Sequence, residues 1–96
     1  MLKNRAENNQ NAEVIALKAL AFLASDEQRL ARFLDATGLS LEAIRGAAAD
    51  PAFLAGVFDY LRADQTLLFE FAEAEGLAPE AIDRARLTLP GSADDI

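Results

Sequence analysis

Cysteine, histidine and tryptophan are all missing from this chain of 96 residues, and tyrosine and methionine occur once each. Without cysteine there is no disulfide to staple the fold and no thiol nucleophile. Without histidine there is no imidazole base, and zinc sites of the usual Cys/His kind are excluded. Long hydrophobic runs are lacking too. The most apolar windows, 14–24 and 52–61, fall well short of the ~20 residues that span a bilayer. Lys3 and Arg5 are followed by Glu7 and a run of asparagine and glutamine, with no small-residue cleavage site, so no signal peptide is expected. These absences point to a soluble, cytoplasmic protein with no membrane partner, and the missing cysteine fits a reducing compartment.

What is present is an apolar-rich chain, with 52% hydrophobic residues. A chain this short buries only about two-thirds of its unfolded surface, so it needs that richness to form a core. A single domain over 1–96 follows from the length. The net charge is −7 and is unevenly placed. Residues 1–49 hold six basic and six acidic side chains, whereas residues 50–96 hold three basic and ten acidic. An acidic surface of this kind repels phosphate backbones and anionic lipids and favours basic partners; it also keeps a small protein in solution.

Helix punctuation is clear along the whole chain. Ala12 to Ala24 carries only Glu13 and Lys18 as charges, so a central helix is expected there. Ser25 with Gln28 reads as a capping box for a second helix that places Leu30, Phe33 and Leu34 on one face and stops at Gly38. Ser40 caps a short third helix with Leu41, Ile44 and Ala48. Asp50-Pro51 opens a fourth, nearly apolar helix to Arg62. Asp64 caps a fifth, ending at Gly76, and Pro79 opens a sixth that carries Ile82, Ala85 and Leu89 before Pro90-Gly91.

A shift of 38 residues, the distance from Gly38 to Gly76, superimposes this punctuation. Leu23 falls on Leu61, Asp26 on Asp64, Phe33 on Phe71, Gly38-Leu39 on Gly76-Leu77, and Glu42-Ala43-Ile44 on Glu80-Ala81-Ile82. Caps and glycine stops recur for physical reasons, but one offset kept through three helices is harder to reach that way. The expected fold is therefore all-α, a compact six-helix bundle of two pseudo-repeated three-helix units. Unit one covers 12–49 and unit two 51–89, with flexible ends at 1–11 and 90–96. The two apolar helices, first of each unit, should pair at the centre.

Around each glycine the pattern reads like a helix-turn-helix, with Ala72, Gly76 and Ile82 in one copy and Leu34, Gly38 and Ile44 in the other. The helices that would enter a DNA groove begin with Glu42 and Glu80, and no cation cluster accompanies them. A nucleic-acid binder derived from that motif is the alternative to a protein-binding role. Catalysis is not expected. Ser25, Ser40, Thr37 and Thr66 have cap or helix-end explanations, and no metal or cofactor set stands out. Asp59, between Phe58 and Tyr60, is either a buried carboxylate or a surface-edge partner of Arg62.

The two copies differ most where Arg29 and Ala31 in the first become Leu67 and Phe69 in the second. Leu67, Leu68, Phe69 and Phe71 cannot share one stripe, since consecutive helical residues are ~100° apart. Phe69 should point away from its own unit, either packed elsewhere or ringed by Glu70, Glu73 and Asp64 as a docking point. Leu67, Phe69, Glu70 and Glu73 are thus the candidate partner-binding residues, for another protein with a basic surface or for a homodimer.

The stretches Ala19-Leu20-Ala21-Phe22-Leu23, Arg32-Phe33-Leu34-Asp35-Ala36-Thr37-Gly38-Leu39, Asp50-Pro51-Ala52-Phe53-Leu54 and Leu68-Phe69-Glu70-Phe71-Ala72 carry a further signal. In them the chain resembles a family of short alphaproteobacterial all-helical proteins catalogued as a domain of unknown function (DUF3572-like). The resemblance covers Ile15 to Leu87 and implies a cytoplasmic bacterial protein. It brings no catalytic or ligand residues to carry over.

Overall fold

The computed structural model describes residues 2–89, with the side chains of residues 11–89. Six helices follow one another: α1 (Leu2–Ala24), α2 (Glu27–Thr37), α3 (Leu41–Ala47), α4 (Pro51–Arg62), α5 (Gln65–Glu75) and α6 (Pro79–Leu87). No strand occurs among the described residues. The all-α expectation is met, and the expected tail 90–96 lies outside the described residues.

Most helix ends fall where the sequence places them, and three differ. α1 starts at Leu2, ten residues before Ala12, because nothing in the polar run Glu7–Asn11 breaks a helix. The cap of α2 is Asp26, not Ser25. The Asp26 carboxylate accepts the N–H groups of Gln28 at 2.8 Å and Arg29 at 3.2 Å, while the Ser25 hydroxyl turns back to the Phe22 carbonyl and closes α1. Those two backbone bonds, first that of Arg29 and then that of Gln28, hold the Asp26 carboxyl below the usual aspartate range. α6 ends at Leu87 with Leu89 beyond it, as a residue preceding proline is pushed out of helical geometry.

Both glycine stops are left-handed, Gly38 at φ 72° and Gly76 at φ 69°, yet they close their helices differently. Gly76 N–H reaches Glu73 and Leu77 N–H reaches Ala72, the paired closure of a Schellman end. Gly38 N–H reaches Leu34 alone, and the Leu39 N–H is taken by the Thr37 hydroxyl.

α1 and α4 pack against each other at the centre, as their apolar character demands. α1 also carries α2 and α6, and α4 carries α5 and α6. The core shared by the two helices holds small residues of α1 (Ala12, Ala16, Ala19) and larger ones of α4 (Leu54, Phe58, Leu61), all essentially buried. Small side chains on one helix let the larger ones opposite interdigitate. Two aromatic pairs lock the outer helices on: Phe22 with Phe71 at 5.5 Å and Phe33 with Tyr60 at 5.0 Å edge-to-face. Tyr60 stands 38 residues after Phe22 and Phe71 stands 38 after Phe33, so the offset exchanges one pair for the other. Burial raises the Tyr60 hydroxyl pKa, with Asp64 adding to the rise and Arg32 opposing it.

α3 and α6, which the 38-residue offset sets in register, are not packed alike. α6 lies against α1, α4 and α5, whereas α3 touches its neighbours sparsely and is held mainly by Ile44. α1 consequently keeps one open face, with Val14 48% and Leu17 43% exposed, although its sequence reads as apolar nearly all round.

Candidate functional site

The arc of α5 is set by its three inward residues. Leu68, Phe71 and Ala72 fill the core, and at ~100° per residue that leaves Phe69 on the outer side. Phe69 is 52% exposed, which answers whether it packs within the fold. Glu73, one turn on, shares its face and is exposed, with no cation within ion-pair distance among the described residues. Glu70 is exposed too, but its carboxylate meets the Arg29 guanidinium at 3.5 Å. Arg29 in turn lies 4.2 Å over the Phe22 ring, tying α2, α1 and α5 together.

Two of the sequence candidates sit differently from their partners. Leu67 is half-buried and packs on the core, about 200° round the helix from Phe69, so it does not extend an exposed patch. Asp64 does not ring Phe69. Its carboxylate accepts the Leu67 N–H at 3.2 Å as the cap of α5, a full turn below and on another side. The exposed group on α5 is therefore Phe69 with Glu73, flanked by the engaged Glu70.

Asp59 is at the surface, not buried, and the second reading of it is the right one with a different main partner. Its carboxylate takes the Arg86 guanidinium at 2.7 and 3.3 Å, while Arg62 stands at 3.8 Å. Arg62 is 2.9 Å from Asp83. These pairs zip α4 to α6. Arg86 is 6% exposed, the buried charged side chain of the core, and sequence reasoning missed it. Its signal was the spacing alone: Arg86 follows Ile82 by four residues and so shares the inward face of α6.

A groove of about 340 Å³ runs between α1 and α3, lined by Leu17, Leu20, Ala21 and Ala24 on one side and Leu41, Ile44, Arg45 and Ala48 on the other. Sequence reasoning missed it as well. A second hollow of about 360 Å³, between Asn11, Ala12 and Ile15 of α1 and Ala81, Arg84, Ala85 and Thr88 near the end of α6, opens beside the residues that lead out of the described chain. Among the described residues no group of three or more carboxylates is placed to hold a metal ion, and no helix is long and apolar enough to cross a membrane.

Two central helices with the other four packed about them, and aromatic and aliphatic side chains exposed at the surface, define a small all-helical bundle domain. The chain belongs to the family described as "Protein of unknown function (DUF3572)", whose model matches residues 9–92. No curated protein and no solved structure matches it.

Proposed function

We propose that the chain is a non-enzymatic, cytoplasmic protein-protein interaction module that docks its partner at Phe69 on α5. The observation that carries this is the exposure of a large aromatic on a helix whose inner face is already filled by Leu68, Phe71 and Ala72. A phenyl ring left half in water is a ready anchor, since aromatic residues contribute disproportionately when a partner's pocket desolvates them. Glu73 and Glu70 beside it, in the acidic half of the chain, would steer a basic rim on the partner and raise its association rate.

A catalytic role has little to draw on, as the hydroxyls of Ser25, Thr37 and Thr88 are spent on backbone carbonyls and Ser40 on a cap. Nucleic-acid binding is less well supported than docking. α6, which would enter a groove in the second helix-turn-helix pattern, is packed against α1, α4 and α5, and Lys18, Arg29, Arg62 and Arg86 are each matched by a carboxylate.

The test compares recovery of bound proteins by the full chain and by Phe69→Glu, quantified by mass spectrometry. A partner retained by the first and depleted at least tenfold by the second is expected. Equal recovery of every bound protein by both, with the same circular dichroism, overturns the reading.

A further inference from the structure

The groove between α1 and α3 and the seam between α4 and α6 occupy matching places in the two halves of the chain. Thirty-eight residues separate Ala21 from Asp59, Ala24 from Arg62, Arg45 from Asp83 and Ala48 from Arg86. In the second half these four positions are the two ion pairs that zip the helices, Asp59 with Arg86 and Arg62 with Asp83. In the first half three of the four are alanine. The seam there has neither a long side chain to fill it nor a carboxylate for the one charge that remains, and it stands open with Leu17 and Leu41 nearly half exposed. Among the described residues no carboxylate lies within ion-pair distance of Arg45.

What the groove lacks is an apolar side chain together with a carboxylate. The chain itself displays that combination on α5, where Phe69 and the unengaged Glu73 share one face. We propose that the occupant is a second copy of this chain, which inserts Phe69 between Leu17 and Leu41 and sets Glu73 against Arg45. This deepens the Phe69 docking reading and rests on it.

Charge decides the orientation. Packing α5 on α5 about a two-fold axis would bring Glu70 and Glu73 onto their own copies, whereas the groove lies in the half of the chain whose charges balance. The contact is head-to-tail, so the assembly grows with concentration unless a ring closes. A single aromatic anchor in a groove of this size makes a small interface, and such interfaces bind weakly.

Sedimentation velocity of the full chain, up to about 1 mM, the regime of weak association, should show the average mass rising with concentration. Phe69→Glu and Leu17→Glu should each remain monomeric while keeping the helical circular dichroism signal. Mixing those two variants should restore pairs, because one keeps its groove and the other its Phe69. Arg45→Glu and Glu73→Arg should each weaken association several-fold, and the double variant should regain it.

A wild-type chain that stays monomeric overturns the proposal. If deletion of residues 91–96 then shifts the amide signals of α1 and α3, the groove's occupant is the chain's own end. If Leu17→Glu associates like the wild type while Phe69→Glu does not, the groove assignment fails and Phe69 docking stands. If both variants associate like the wild type, Phe69 docking between copies fails with it.

Discussion

Single residues at the helix ends account for much of the local order, and the glycines show how differently one residue type can be used. Gly38 and Gly76 hold positive φ, where a Cβ would be strained even though open space surrounds it. Gly56 lies within α4 at ordinary helical geometry, and a Cβ there would meet nothing within 4 Å. Gly38→Ala should therefore cost about 1–2 kcal/mol, and Gly56→Ala should gain about 0.5–1 kcal/mol, both read from urea unfolding midpoints. Equal effects of the two substitutions would show that left-handed geometry is not what Gly38 supplies. The N-caps follow the same logic. Asp26, Ser40, Asp50 and Asp64 each accept a backbone N–H, whereas Ala78 cannot, and α6 starts on Pro79 instead.

At the level of elements, what distinguishes α3 from α6 is the chemistry of their seams. α6 is bound to α4 through Arg86, whose guanidinium is buried and whose carboxylate partner Asp59 is half in water. Asp59→Ala leaves that guanidinium inside without its bidentate acceptor, at a cost of about 1–3 kcal/mol, water reaching the site from the Asp59 side. Arg86→Met keeps the volume and removes the charge, so its cost should stay below ~1.5 kcal/mol. Asp59→Ala with Arg86→Met should then recover most of the loss. Thermal or urea unfolding of the three variants measures this, and an Asp59→Ala chain as stable as the wild type would mean the pair contributes nothing.

The whole molecule is a graded structure, firm along α1 and α4 and light at α3. α1 and α4 share the buried seam and each bears two further helices, while α3 is seven residues long and anchored chiefly by Ile44. Native-state hydrogen exchange should follow that gradient, with α3 amides exchanging at the lowest opening free energy of α2–α6 and α4 amides at the highest. Protection of α3 equal to that of α4 would contradict it. The open face of α1 and the exposed ring of Phe69 belong to this scale also, because each is defined by what the rest of the bundle fails to cover.

The six helices, their glycine stops and the central pairing of α1 with α4 were legible in the sequence, as was the turning of Phe69 away from its own unit, though not whether it met solvent. They depend on local rules: φ > 0 at glycine, acceptors at N-caps and an apolar period of 3.6. Asp59 and Phe69 could be singled out by type and spacing, but the same spacing offered Arg62 as the partner of Asp59 because it looks only three residues ahead. Arg86 is 27 residues away and comes within 2.7 Å only when α6 folds onto α4. Burial of Arg86, the half-burial of Leu67 and the open groove beside Arg45 are likewise outcomes of how helices distant in sequence meet. Periodicity specifies which face of a helix is apolar; only packing decides which of those faces finds a cover, and in this chain α1 has one more than its neighbours fill.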